Sequence, residues 1–263
     1  MMAKPPPRLF VGGDAALTLA PDRVIPIEGA QWHYLHHVLR LDQNAPVLLF
    51  DGRSGEWAAA ITIASKKHGV LTVERQTRPM TPPSPLTLYF APLKKDPTEL
   101  IIQKGTELGI TDFRPVRTDR TIVPKAGLKD DRLASIAVEA AEQCERLDTP
   151  TIHPLISLQD LIAAPPSCLV YCDEAGDDPS ARWGGPSGHG EGAAAALLTR
   201  QESLAGSPGA LLIGPEGGFT PTERQTLRAL PGTLAVSLGP RVLRAETAAL
   251  VAISLWQAVL GDI

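Results

Sequence analysis

Two stretches near the carboxyl end combine residue types that can enclose a small ligand. The first, Leu212-Ile213-Gly214-Pro215-Glu216-Gly217-Gly218-Phe219-Thr220, sets three glycines around one acidic side chain directly after an apolar run. Glycine allows main chain to approach a ligand closely and to adopt positive φ, and the carboxyl end of a strand is where open α/β sheets bind ligands. The stretch is not G-x-G-x-x-G, and no Gly-Lys-Ser/Thr follows to make a phosphate loop. Read alone, it is equally a tight turn into a capped helix. The second stretch, Leu238-Gly239-Pro240-Arg241-Val242-Leu243-Arg244-Ala245-Glu246-Thr247-Ala248, leads into an apolar final helix. A capped helix start with solvated arginines explains any one of its residues. The pair of loops, each following a strand, is harder to explain without a shared ligand.

The elements that must position these loops follow from pattern. From Leu86 apolar strands alternate with helices, the signature of an α/β layer with a mostly parallel sheet. Strands are expected at Leu86–Ala91, Ile110–Val116, Leu169–Cys172, Leu211–Ile213 and Thr233–Leu238, and helices begin at Thr220-Pro221-Thr222-Glu223 and near Glu246. Asp96-Pro97-Thr98-Glu99 reads as a capped helix start, running to Gly109. Between Asp131 and Leu147, Leu133, Ile136, Ala137, Ala140, Ala141, Cys144 and Leu147 form one apolar stripe, opposite Glu139, Gln143 and Arg146. The Gly/Ala/Ser/Pro-rich stretch from Gly176 to Gly209 reads as a variable connection with at most one short helix near Ala193–Glu202.

Upstream, Arg8–Arg75 reads as a β-rich unit with strands at Leu9–Val11, Val47–Phe50, Trp57–Ile63 and Val70–Val73, interrupted by one helix over Gln31–Arg40. Four prolines between Arg78 and Pro85 exclude a central strand or helix interior there. The expected division is therefore two domains, residues 1–79 and 86–263. Net charge is −4, with +2 on residues 1–79, so any nucleic-acid contact must come from local basic patches. Three cysteines argue against a disulfide framework, and no apolar run reaches signal-peptide or membrane-spanning length. The expectation is a soluble, cytoplasmic protein.

At the two loops the sequence resembles the RsmE-type methyltransferases of the SPOUT superfamily. These enzymes modify uridine N3 in small-subunit (16S) ribosomal RNA near the decoding centre, in ribosome maturation. The likeness covers nearly the whole chain: Pro7-Arg8-Leu9-Phe10-Val11, His33 to Leu41 (HYLHHVLRL), Lys104 to Gly109 (KGTELG), Thr118-Asp119-Arg120-Thr121, Glu139 to Arg146 (EAAEQCER), IGPEGG and LGPRVLRAETA. It implies a PUA-like RNA-binding β-barrel over 1–79 and a SPOUT domain over 86–263 with a C-terminal trefoil knot. It also implies a homodimer, S-adenosylmethionine as cofactor, and 16S rRNA, within an assembled small ribosomal subunit, as partner. On that pattern Leu212, Ile213, Gly214, Pro215, Glu216, Gly217, Gly218, Leu238, Gly239, Leu243, Arg244 and Thr247 hold the cofactor.

Methyl transfer from a sulfonium is an in-line displacement, so positioning and water exclusion carry most of the catalysis. Uracil N3 lies on the pairing edge and bears a proton, so the base must be unpaired and the proton must leave. Arg120, Arg146 and Arg244 are candidates to stabilise charge developing on the uracil oxygens, and Glu246 is a candidate base or orienting group. Each has a bland alternative as an ion pair or capping carboxylate. His33, His36, His37 and Arg40 invite a metal reading, but three histidines on one short helix fit an RNA-facing surface better. Arg8, His33, His36, Arg40 and Lys94 are the expected RNA contacts, and no metal is expected. Three other readings share these loops: a SPOUT enzyme acting on a ribose 2'-hydroxyl or another base, a non-catalytic RNA-binding homologue, and a nucleoside-phosphate-binding enzyme.

Overall fold

The computed structural model describes residues 5–12, 18–63, 65, 67–124, 128–173 and 191–263. Contacts divide the chain into Met1–Pro82 with Ala141–Thr149, and Pro83–Ala140 with Pro150–Ile263. The excursion 141–149 thus packs with the amino-terminal unit, although it lies beyond the proline-rich stretch in sequence.

In the first unit, β1 (Arg8–Phe10), β2 (Val24–Glu28), β3 (Pro46–Phe50), β4 (Glu56–Ile63) and β5 (His68–Arg78) form one curled sheet in the order β1-β3-β4-β5-β2. Only β1 and β3 run parallel. Alternation turns Ile25 and Ile27, Val47 and Leu49, Ala59 and Ile61, Leu71 and Val73 inward around Trp32 and Leu35. Each large apolar side chain buried here contributes roughly 1.5–3 kcal/mol relative to leaving it exposed. β2 was not among the expected strands. Pro26 interrupts its pattern, and the structure accommodates that proline by placing β2 at the sheet edge.

The expected helix over Gln31–Arg40 needs correction. A four-residue α1 (Gly29–Trp32) runs into a π-helical segment, His33–Val38, and the chain leaves it through Arg40 at φ +54°. The wider π turn stacks the Trp32 and His36 rings at 4.8 Å and sets His37 edge-on to His36 at 4.9 Å.

The second unit contains a seven-stranded parallel sheet. Its strands are β6 (Leu86–Phe90), β7 (Asp112–Arg117), β8 (Thr151–Ile152), β9 (Ile156–Ser157), β10 (Leu169–Cys172), β11 (Gly209–Ile213) and β12 (Thr233–Val236). The order is β12-β10-β11-β6-β7-β8, with β9 also pairing β7. β11 is central and buried at every residue, as a continuous apolar run in a parallel sheet requires. Its alternate residues serve two cores. Leu211 and Ile213 join the layer with Ile101 and Ile102 of α2 (Lys95–Glu107) and Ile253 and Trp256 of the final helix; Ala210 and Leu212 join Leu161, Phe219 and Leu227 on the other face.

The remaining helices are α3 (Asp130–Gln143), α4 (Leu158–Ala163), α5 (Ala193–Thr199), α6 (Gln201–Leu204), α7 (Pro221–Ala229) and α8 (Ala245–Leu260). α3 ends at Gln143, four residues before the expected Leu147, because the chain turns at Glu145 with φ +63°. α2 starts at Lys95 and has no side-chain cap; Asp96 lies inside its first turn, and the Thr98 hydroxyl instead bonds both main-chain groups of Leu93, at 2.9 and 3.0 Å. Of the expected variable connection, residues 176–190 lie outside the described residues; the rest holds two short helices, α5 and α6, rather than one.

Candidate active site

Three strand ends converge in the second unit. β12, β10 and β11 are neighbours and run the same way, so the turns leaving their carboxyl ends share one edge of the sheet. Between those turns lies a cavity of about 490 Å³, bounded by Cys172 and Asp173 after β10, by Ile213 to Glu216 and Gly218 after β11, and by the chain from Val236 to Ala245 with Ala248. This is the size of small-molecule sites generally.

Three glycines, Gly214, Gly218 and Gly239, stand in the wall. The first loop closes through the Gly218 N–H, which donates to the Pro215 carbonyl at 2.9 Å, and Gly218 has φ +66°. In the second, the Gly239 N–H donates to the Ser237 hydroxyl at 3.2 Å; Gly239 sits at φ +106° with open space where a β-carbon would project. α8 begins at this cavity with Arg244 as its N-cap residue and no side-chain cap. α7, in contrast, carries the full capping box expected from Thr220-Pro221-Thr222-Glu223.

Charge enters the wall through Asp173, which is 2% exposed. Its Oδ2 accepts from the Tyr171 hydroxyl at 2.8 Å and from Arg228 Nη2 at 3.0 Å. Burial first, and then the neighbouring carboxylate, push the Tyr171 phenol far above its ordinary pKa, so it stays a neutral donor. Burial also pushes the Cys168 thiol up, which leaves it a core side chain rather than a nucleophile. Among the described residues no cluster of three or more His, Cys, Asp or Glu side chains could hold a metal ion, and no helix is long and apolar enough to cross a membrane.

Of the residues singled out from sequence, Ile213, Gly214, Pro215, Glu216, Gly218, Leu238, Gly239, Leu243 and Arg244 border the cavity together. Leu212, Gly217 and Thr247 are not on its wall: Leu212 is buried in the core behind it, and Gly217 and Thr247 are exposed. Glu246 is half-buried in the first turn of α8, also off the wall. Arg120 is exposed and donates Nη1 to the Gly217 carbonyl at 2.6 Å. Lys94 is exposed at the start of α2. Sequence reasoning missed Cys172, Asp173, Val236 and Ser237. The available signal was that β10, like β11 and β12, must also end at this edge, but Cys172-Asp173 carries no glycine motif to announce it.

Arg146 belongs to the first unit, where its guanidinium grips Asp148 through two hydrogen bonds of 3.1 and 2.8 Å. His33, His37 and Arg40 are exposed there, and His36 is half-buried against Trp32. The expected role of Arg8 as an RNA contact is corrected. Arg8 is 8% exposed, pairs with buried Glu56 at 2.8 Å, and donates to the carbonyls of Ala141, Glu142 and Arg146 at 3.1, 3.3 and 2.7 Å. All of its donor nitrogens are engaged inside the unit, so none is available to a phosphate.

The chain matches the family model of an RNA methyltransferase domain over residues 80–257 and that of an RNA methyltransferase PUA domain over residues 27–74. It is 33% identical to the ribosomal RNA small subunit methyltransferase E of Rickettsia conorii, covering 84% of each chain. It is 34% identical to the protein of that name from Synechocystis, covering 93% of this chain and 77% of the relative. Among solved structures, a Legionella pneumophila methyltransferase in complex with bound SAM aligns with TM-score 0.80 at 28% identity, over 99% of this chain and 100% of that one. The Neisseria gonorrhoeae ribosomal RNA small subunit methyltransferase E bound to S-adenosyl methionine aligns with TM-score 0.77 at 26% identity, over 98% and 99%.

Proposed function

The chain belongs to the ribosomal RNA small subunit methyltransferase E family, and we propose that it transfers a methyl group from S-adenosylmethionine to N3 of a specific uridine in 16S rRNA. The observation that carries the reading is the cavity bounded jointly by the 213–218 and 236–245 loops, at the edge where a parallel sheet binds ligands. Residues 1–79, which carry the curled sheet, are the RNA-binding part, and residues 86–263 are the methyl-transferring part, with the C-terminal loops tied in the family's trefoil knot. As in the family, two copies pair and each RNA site draws on both. The RNA is met within the assembled small subunit, in the cytoplasm.

The cavity fits the cofactor. Gly239 has open space where a β-carbon would project, Gly214 and Gly218 border the same cavity, and their main-chain groups can recognise an adenosine, while Ile213, Leu238 and Leu243 offer apolar contact. When bound, S-adenosylmethionine supplies an electrophilic methyl carbon on a sulfonium. The protein's own work is to hold the uracil in line, exclude water and manage one proton. Arg244 is exposed on the cavity wall, where its guanidinium can stabilise negative charge on the uracil oxygens. Glu246, two residues on, is the candidate to accept or orient the N3 proton. Arg120 and Arg146 complete the catalytic set, and His33, His36, Arg40 and Lys94 are the RNA contacts. Lys94 lies in the second unit and the other three in the first.

The test is methyl transfer from labelled cofactor to small subunits lacking the modification, followed by mapping of the labelled nucleotide. Transfer to uridine N3, with Arg244→Ala slowing it roughly a hundredfold at saturating cofactor, supports the reading. A label on a ribose 2'-hydroxyl, or no transfer by wild type, removes it.

A further inference from the structure

We propose that Glu223 is a positioning residue of the methyl-donor site, holding the glycine loop in shape without touching a ligand. The inference rests on reading the 212–218 loop as that site. Glu223 stands in the first turn of α7 and is 7% exposed. One of its oxygens accepts the Thr220 N–H at 2.8 Å and so completes the capping box, which serves α7 alone. The other accepts the Asp119 N–H, 104 residues away in the chain, also at 2.8 Å. A helix cap has no use for that second bond.

The second bond joins the first turn of α7, which directly follows the glycine loop, to the turn leaving β7. That turn is braced internally, with the Thr118 N–H donating to the Thr121 hydroxyl at 2.9 Å. Arg120, next to the tethered Asp119, reaches back to the Gly217 carbonyl at 2.6 Å, and its Cδ would lie 3.3 Å from a β-carbon at Gly217. The loop is therefore gripped at Thr220 by Glu223 directly and at Gly217 by the arginine whose turn Glu223 anchors. A segment with three glycines among five residues has little internal means of holding one conformation. Main-chain N–H bonds to a buried carboxylate are of the strong class, and removing an acceptor leaves a main-chain N–H unsatisfied.

The test is calorimetric titration with S-adenosylhomocysteine, at a temperature where circular dichroism shows every variant folded. Glu223→Gln keeps the shape but turns an amide N–H₂ toward one of the two main-chain donors; its affinity is expected to fall roughly tenfold. Thr220→Ala removes the other half of the same capping box and leaves the Asp119 bond, so it is expected to lower stability yet bind within about twofold of wild type. Arg120→Ala is expected to weaken binding less than Glu223→Gln, and the double variant to fall short of the combined losses, because both act through one clamp. If Glu223→Gln does not fold, Asp119→Pro removes the same N–H from the other side and is expected to give the same tenfold loss. Wild-type affinity in the variant lacking the Asp119 bond overturns the proposal, as does an equal loss in Thr220→Ala. Absence of binding by wild type removes the donor-site reading itself, and this proposal with it.

Discussion

The interior of the first unit and the cavity rim of the second place charged side chains differently. In the first, ionised side chains go inside and hold main chain: Arg8 binds three carbonyls of the 141–146 segment, and the Asp51 carboxylate accepts from the main chain of Leu19, Arg53 and Ser54 and from the Ser54 hydroxyl. In the second, glycines and apolar side chains make up much of the cavity lining beside buried Asp173, and Arg241 and Arg244 stand exposed at its edge. A charged residue in a family-like motif is therefore not a functional group by virtue of its charge. Arg8 and Arg244 look alike in sequence, and burial separates them.

Arg8→Met gives the largest break in that contrast. It leaves Glu56 buried without its closest cation and the 141–146 carbonyls without their donor, so the first unit is expected to lose about 3–5 kcal/mol. Urea unfolding read by circular dichroism measures it, and cofactor binding by the second unit is expected to survive. A loss under about 1 kcal/mol would mean that the buried pair does not hold this unit together.

Asp51→Asn is the intermediate case, expected to cost about 1–3 kcal/mol, with a pH signature. Burial raises the Asp51 pKa, but the hydrogen bonds from Ser54, Arg53 and Leu19 outweigh it and leave the net value below the ordinary carboxylate value. With the folded value below the unfolded one, the stabilisation is complete above about pH 4 and disappears as pH falls through the lower, folded value. Wild type is thus expected to lose urea resistance on acidification more steeply than Asp51→Asn; parallel curves would contradict this. Arg78→Ala is the smallest. Arg78 also faces Glu56, but at 3.8 Å and with a side chain 46% exposed, so at most about 1 kcal/mol is expected from the same urea experiment.

Much of the fold was legible because its signals are local. The continuous apolar run of β11, the Thr220-Pro221-Thr222-Glu223 cap and the alternation in β3 and β4 each appear within a few residues. The candidate site was legible for a related reason: glycine and proline report main-chain conformation directly, so both loops announced themselves. What escaped depends on distance in the chain or on small differences in pitch. The carbonyls that accept from Arg8 lie more than 130 residues downstream, and no local pattern reveals them. A π turn and an α turn differ by under one residue per turn, which one short segment such as His33–Val38 does not resolve. Asp173 joins the cavity only because β10 lies between β12 and β11, a fact of strand order.

The central claim is that the turns after β10, β11 and β12 enclose a methyl donor. Its most direct test is a calorimetric titration of wild type and Gly239→Val with S-adenosylhomocysteine. Wild type is expected to bind one molecule per chain. A β-branched side chain at φ +106° is strained and projects into the open space at that turn, so the variant is expected to bind at least roughly a hundredfold more weakly. Equal binding by the two proteins, or no saturable heat from wild type, would contradict the claim.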